Sequence, residues 1–207
     1  MVNFQAVLDN IADEVRPLTT QGKVADYIPM LARVPADKFG MAVATLDGGI
    51  YRVGDAEEHF SIQSISKVYT LTLALKAIGD ALWERVGREP SGSAFNSLVQ
   101  LESERGIPRN PLINAGAHVV ADVLIGQGLD ARAQLLDFVR RRSDDPSVGD
   151  DPEVAHSESL TGFRNRALAN FLKSFGNLDH EVEAVLDFYF YQCSLTMSCA
   201  DLARGFL

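Results

Sequence analysis

Apolar and polar positions near the start of the chain alternate with two different periods. Five apolar residues fall three or four positions apart, which predicts an amphipathic helix: Phe4, Val7, Leu8, Ile11 and Val15. Pro17 ends this pattern, because proline is not tolerated in a helix interior. Residues 39–55, FGMAVATLDGGIYRVGD, alternate instead around Asp47-Gly48-Gly49, which predicts two strands joined by a tight turn.

From Ser64 onward the pattern is almost wholly helical. Val68, Leu71, Leu75 and Ile78 form one apolar stripe, and further helices are predicted at about 114–125, 130–142, 165–175 and 181–191. Residues 143–153, SDDPSVGDDPE, are rich in turn formers and predict an exposed connector. The helical pattern is still running in the last segment, SCADLARGFL.

One hairpin is a marginal sheet, since three or more strands with an apolar face are normally needed. The pattern therefore predicts a helical domain attached to part of an α/β layer. We place the N-terminal part of the sheet domain in residues 1–62 and a mainly helical domain in residues 63–207. The remaining strands of the sheet are predicted to be absent from this sequence.

Composition and charge limit the classes of partner. The 207 residues are 46% hydrophobic and 23% charged, as in a globular protein, and the net charge of −9 disfavours nucleic acid. The basic run Arg140-Arg141-Arg142 stands beside acidic residues and is interpreted as a solvated helix end. No stretch has membrane-spanning length and the N-terminus does not resemble a signal peptide, so we expect no membrane partner and a cytoplasmic location.

Cysteine and histidine usage gives no sign of a metal site or a disulfide framework. Cys193 and Cys199 are too few for a framework and are interpreted as buried thiols in a reducing compartment. The four histidines show no short-range pairing. We therefore expect no metal ion.

The stretch FSIQSISK, residues 60–67, contains three serines and a lysine. Ser64 and Lys67 are three positions apart, so on a helix they lie on one face. Ser66 is adjacent to Lys67 and points elsewhere, while Ser61 is expected in the preceding loop. Ser64 is therefore the candidate nucleophile, at a helix start where the dipole favours developing negative charge. The alternative is the polar start of a core helix with a snorkelling lysine.

Lys67 can act as a base only when it is neutral, which requires a desolvated setting that lowers its pKa. The neighbouring Ile65 and Val68 are compatible with partial burial of the amine. The order of hairpin, S-x-x-K and long apolar helix is also that of the penicillin-recognising serine enzymes.

Six strings, in this order from Gly22 nearly to the C-terminus, resemble the bacterial glutaminase family: GKVADYIP, FSIQSISKV, PSGSAFNSL, GIPRNPLINAGA, HSESLTGFRN and LDFYFYQCS. The resemblance implies a serine β-lactamase-like fold of the α/β class. In that fold a helical domain packs on an α/β sheet domain, with the nucleophile at their junction. It also implies a homo-oligomer, a dimer or a tetramer.

The resemblance implies hydrolysis of L-glutamine to L-glutamate and ammonia through a glutamyl ester, without a metal ion or an organic cofactor. Ser64 would attack the side-chain amide and Lys67 would move the proton. The implied substrate-binding residues are Tyr27, Ser64, Asn114, Glu158, Asn165 and Tyr189. These residue types suit the substrate, because an acid pairs with its ammonium while amides and phenols bind its carboxylate and amide.

Each of these residues also has a structural interpretation. Asn114 and Asn165 could cap helices, since asparagine is a favoured N-cap. Glu158 stands in an acidic stretch typical of a surface. Tyr189 lies in the aromatic run FYFY, which is typical of a core.

The resemblance also implies a further tract, containing K-S-G-V and another pocket tyrosine, for which residues 1–207 offer no equivalent. A backbone amide of that tract is expected to complete the oxyanion hole, and losing one such donor costs about 10²–10³-fold in turnover. Our hypothesis is that the chain is a fragment. The alternatives are an impaired or silent chain associated with longer subunits, and a related serine acyltransferase or β-lactamase-like hydrolase.

Overall fold

Residues 2–207, the part of the chain that this computed structural model describes, form two small sheets and nine α-helices. The strands are β1 (Gly40–Ala44), β2 (Ile50–Gly54), β3 (Phe60–Ser61), β4 (Gly149–Asp150) and β5 (Leu195–Met197). The helices are α1 (Phe4–Val15), α2 (Ser66–Ile78), α3 (Leu98–Ser103), α4 (Asn114–Ile125), α5 (Ala131–Ser143), α6 (Pro152–Thr161), α7 (Phe163–Ser174), α8 (Val182–Cys193) and α9 (Cys199–Gly205). None of the helices described is long and apolar enough to cross a lipid bilayer.

The N-terminal predictions are confirmed. Helix α1 spans the predicted residues, and β1 pairs antiparallel with β2, with Ala44 opposite Ile50. Gly48 has φ +89°, a left-handed conformation that suits glycine in a tight turn. Helix α1 packs on the hairpin, where the Phe4 and Tyr51 rings lie 5.4 Å apart between centroids.

The predicted central helices are also present, with bounds within two residues of those expected. Helix α4 is buried over nearly its whole length and packs against α2, α7 and α8. It is therefore the core of the helical part. Asp130 caps α5 through the N–H groups of residues 132 and 133, which explains why that helix starts where the pattern predicts.

The prediction of an exposed connector at residues 143–153 is wrong in part. Ser143 and Val148 are fully buried, and Gly149 pairs with Thr196 in a three-stranded sheet of order β3-β5-β4. Asp151 then caps α6, which the sequence did not predict. Strands of two or three residues are too short to show a period, so they were also missed.

The apolar stripe predicted on α2 is confirmed in part. Leu71, Leu75 and Ile78 are partly buried and pack against the core, whereas Val68 is exposed. The most deeply buried residues of the helix are Ser66, Lys67, Tyr69, Thr70 and Ala74. The β3–β5 pairing continues through the bond from the Ile62 amide to the Leu195 carbonyl, at 2.8 Å. This pairing places the start of α2 against the end of α8. The domain boundary at residue 62 stays a prediction.

Candidate active site

One cavity of about 580 Å³ brings together the seven residues predicted to be catalytic or substrate-binding. Its walls include Tyr27, Ser64, Lys67, Asn114, Glu158, Asn165 and Tyr189. A cavity of this size suits a small molecule. The catalytic and binding roles of these residues remain predictions, and the geometry below shows what each can do.

A short 3-10 turn, Gln63–Ile65, presents Ser64 to the cavity immediately before α2. Gln63 has φ +48°, a strained conformation for a residue with a side chain, and such strain is common at functional sites. The neighbouring Ser66 is fully buried, and its hydroxyl donates to the Gln63 carbonyl at 2.6 Å. Of these two serines, the one expected from spacing is therefore the one that borders the cavity.

Lys67 is only 3% exposed, and its side-chain nitrogen donates to two acceptors. Nζ donates to the Leu112 carbonyl at 2.9 Å and to Asn114 Oδ1 at 2.8 Å. A neutral amine has two N–H bonds and one lone pair, so these acceptors match the neutral form and leave its lone pair for a proton. Burial lowers the pKa of Lys67, which also favours that form.

The source of this burial differs from the prediction. Ile65 and Val68 are both more than a third exposed, so they do not desolvate the lysine. The loop before α4 provides the Leu112 acceptor instead. A Cβ on Gly116 would lie 1.9 Å from the Asn110 carbonyl oxygen, so glycine is required for this loop to lie on α4.

Asn114 and Asn165 continue the chain of hydrogen bonds from the lysine. Asn114 Nδ2 donates to Asn165 Oδ1 at 2.9 Å while its Oδ1 faces Lys67. The capping interpretation of both residues is wrong, because the N-caps of α4 and α7 are Ile113 and Gly162 and neither helix has a side-chain cap. The two amides are therefore oriented by each other and by the lysine.

Glu158 is buried on α6, with 6% of its surface exposed, so its interpretation as a surface residue is wrong. Its Oε2 has no hydrogen-bond partner within residues 2–207. Desolvation raises the pKa of this carboxyl to about 7, and the positive charge of Lys67 opposes the shift. A buried carboxylate oxygen without a partner, in a cavity wall, is suited to bind a cationic group.

Tyr189 is nearly fully buried, yet it also lines the cavity. Its ring makes an edge-to-face contact with that of His118, with centroids 4.6 Å apart. His118 was missed in the sequence, although it follows Asn114 by four positions on α4 and so shares its face. Neither of its ring nitrogens has a partner in the described structure. Burial, and secondarily Lys67, lowers the pKa of His118 to about 3, so the imidazole is neutral beside the lysine.

The rim of the cavity is more open. Tyr27 is 69% exposed, and its partial burial raises its pKa. Arg164 also lines the cavity and was not predicted; its Nη1 donates to the Asn96 carbonyl at 3.4 Å. Sequence spacing gives no signal for a residue of this kind, because its place depends on how α7 meets the loop before α3.

His59 forms a second cluster that the spacing of histidines did not indicate. Its Nε2 lies 3.7 Å from Asp145 Oδ2 and 3.5 Å from Asp201 Oδ2. Each of these carboxylates already accepts hydrogen bonds from a serine, Ser147 or Ser198, and Arg204 lies 3.6 Å from Asp201. The cluster thus ties three separate segments together.

Replacing Glu158 by glutamine is expected to stabilise the fold at pH about 8 by about 1–3 kcal/mol. The folded-state pKa of about 7 lies above the ordinary value of 4.5, so folding takes up a proton between these values. The wild-type free energy of unfolding therefore falls as pH rises through that window. Denaturant unfolding at several pH values measures the difference between variant and wild type.

The matched control is Glu153→Gln, on the exposed first turn of the same helix. It should change stability little at any of these pH values. A destabilised Glu158→Gln chain at pH about 8 would contradict the interpretation of Glu158 as a buried carboxyl with an unpaired oxygen.

Comparisons with known proteins agree with this geometry. The sequence profile of the family described as Glutaminase matches residues 22–207. A glutaminase of Rhizobium leguminosarum bv. trifolii is 58% identical over 207 residues, covering 99% of this chain and 67% of that protein. A solved probable glutaminase of Bacillus subtilis has a TM-score of 0.86 and 33% identity, covering 99% of this chain and 63% of that one.

A second solved structure of a probable glutaminase from Bacillus subtilis is complexed with 6-diazo-5-oxo-L-norleucine. It has a TM-score of 0.83 and 32% identity, covering 98% of this chain and 62% of that chain. The chain thus spans about two thirds of the length of these glutaminases. The predicted α/β, β-lactamase-like fold class is confirmed.

Proposed function

The chain belongs to the glutaminase family, and we propose that it hydrolyses the side-chain amide of L-glutamine to give L-glutamate and ammonia. The observation that carries the proposal is the set of residues that line one cavity. Ser64 and Lys67 lie on its wall together with Glu158, a buried carboxyl with an unpaired oxygen. A nucleophile and an ammonium acceptor in one small cavity match a free amino acid that carries an amide.

In the first half of the proposed reaction, Ser64 Oγ attacks the amide carbon while its proton passes to the lone pair of Lys67 Nζ. The tetrahedral intermediate then collapses. Lys67 returns the proton to the leaving nitrogen, the C–N bond breaks, and ammonia leaves a glutamyl ester on Ser64. The positive end of the α2 dipole, two residues from Ser64, favours the negative charge that develops on the amide oxygen.

In the second half, water attacks the ester carbon and gives a proton to Lys67. The ester bond breaks, Ser64 Oγ recovers its proton from Lys67, and glutamate is released. Glu158 holds the substrate ammonium throughout, while Asn114, Asn165 and Tyr189 bind its other polar groups. Tyr27 borders the entrance. No step requires a metal ion or an organic cofactor.

Substrate selectivity tests this proposal directly. The wild-type chain is assayed for ammonia release from L-glutamine, D-glutamine and L-asparagine, and for hydrolysis of a β-lactam. We expect L-glutamine to be preferred and L-glutamate, but not the β-lactam, to compete with it, because Glu158 requires an ammonium at a set distance from the amide. Hydrolysis of the β-lactam without release from L-glutamine would favour the related β-lactamase-like activity instead.

A homo-oligomer, dimer or tetramer, and a cytoplasmic location are further parts of the proposal. The oligomer rests on the family resemblance. The location rests on the sequence, which has no stretch of membrane-spanning length and whose two cysteines are interpreted as reduced thiols. Light scattering of the purified chain measures the first, and fractionation of cells the second. A monomer at all concentrations, or recovery outside the cytoplasmic fraction, would contradict the corresponding part.

A further inference from the structure

A buried hydroxyl lies directly beneath the turn that presents Ser64. Ser66 Oγ donates to the Gln63 carbonyl at 2.6 Å, and the backbone N–H of Ser66 donates to the same carbonyl. Ser66 has no exposed surface although it is adjacent to Lys67. Its hydroxyl therefore binds the peptide unit between Gln63 and the nucleophile.

The residue that supplies this carbonyl is strained. Gln63 has φ +48°, one of only three positive φ values at residues other than glycine within residues 2–207. Such a conformation costs about 1–3 kcal/mol and persists only where neighbouring groups hold it. Without the hydroxyl, the Ser66 N–H alone holds the Gln63 carbonyl, so the carbonyl can turn more easily and the orientation of Ser64 changes with it.

Helix α8 also contacts this hydroxyl. Gln192 Nε2 donates to Ser66 Oγ at 3.4 Å, and both residues are fully buried. Tyr189, one turn earlier on α8, lines the cavity. The hydroxyl thus connects the helix that forms one wall of the cavity to the turn that carries Ser64.

We propose that Ser66 is a positioning residue that holds the strained Gln63 peptide so that Ser64 faces Lys67. This inference rests on the proposed function, because it takes Ser64 as the nucleophile. It assigns Ser66 no contact with substrate. A merely structural role, in which the hydroxyl only satisfies buried polar groups, predicts a loss of stability without a specific loss of turnover.

Ser66→Ala is expected to lower kcat for L-glutamine by about 10–100-fold, since a small misplacement of a reacting group has effects of this size. KM should change by less than about 3-fold, because the residues that bind substrate are untouched. The matched control is Ser143→Ala, which removes another fully buried hydroxyl that donates to a backbone carbonyl, at Val139. It should lower Tm similarly and leave kcat unchanged.

A double variant separates positioning from stability. Ser66→Ala leaves the Gln192 amide without its partner, which lowers Tm. Replacing Gln192 by methionine as well removes that unpaired group, so Ser66→Ala/Gln192→Met should regain Tm but not kcat. Recovery of kcat together with Tm would overturn the proposal, as would unchanged kcat in Ser66→Ala.

A separate readout covers failure of the proposed function. Each variant is incubated with 6-diazo-5-oxo-L-norleucine, and the rate of labelling at Ser64 is followed by mass spectrometry. If the wild type labels at Ser64 but releases no ammonia, the proposed hydrolysis fails, and slower labelling of Ser66→Ala still supports positioning. Equal labelling rates would overturn positioning alone, and a wild type that neither labels at Ser64 nor turns over would overturn both.

Discussion

Ser64→Ala is expected to abolish ammonia release from L-glutamine, with a loss of at least about 10⁴-fold, as for other serine nucleophiles. The variant retains the lysine and the cavity, but it has no oxygen that can form the ester. Binding of L-glutamate should change by less than about 3-fold, since Glu158, Asn114 and Tyr189 remain. Coupled ammonia assays and calorimetric titration of glutamate measure the two quantities.

The control for this experiment is Ser61→Ala, which removes a half-buried serine of β3 that does not border the cavity. Its turnover should stay within about 3-fold of wild type. Turnover that survives in Ser64→Ala but is lost in Ser61→Ala would mean that the nucleophile has been assigned to the wrong serine.

Lys67→Met is expected to lower kcat by about 10³–10⁴-fold, the upper range for loss of a general base that also serves as the acid. Methionine has a similar length and fits a buried site, but it cannot accept the Ser64 proton. Lys67→Arg is the informative partner, because arginine keeps the charge and the donors yet stays protonated at neutral pH. Both variants should therefore be inactive, whereas an active Lys67→Arg would contradict the base role.

The pH dependence of the wild type follows from the same two groups. Lys67 acts when deprotonated and Glu158 binds ammonium when ionised, so kcat/KM should rise with pH through the region near 7, where Glu158 titrates. Because the pKa of Lys67 is lowered, its deprotonation contributes to this rise at pH values below those at which an ordinary lysine loses its proton. A kcat/KM that falls as pH rises from about 6 to 8 would contradict both assignments.

The long periodic elements of the fold were predictable, and the short ones were not. Helices α1 and α4 and the β1–β2 hairpin carry clear periods and begin and end where expected. The β3-β5-β4 sheet consists of strands of two or three residues that form only when distant segments meet. Helix α6 was missed because its turn-forming start reads as a loop, although Asp151 and Pro152 are also good helix-start residues.

The site shows the same division. The spacing of Ser64 and Lys67 predicts the pair. The interpretations of Asn114 as a helix cap and of Glu158 as a surface residue, by contrast, are excluded only by the tertiary structure. The lysine is buried by the loop before α4 and not by its sequence neighbours. His118 and Gln192 were not predicted, because a buried polar residue in an apolar helix gives no sign in sequence of what lies beside it.

The most direct test of the account is to look for the glutamyl ester. The wild-type chain is mixed with L-glutamine, quenched in acid during turnover, digested and examined by mass spectrometry. We expect one glutamyl group on the peptide that contains Ser64, and none in Ser64→Ala. Steady ammonia release with an unmodified Ser64 peptide, at the same rate in Ser64→Ala, would contradict covalent catalysis by this serine.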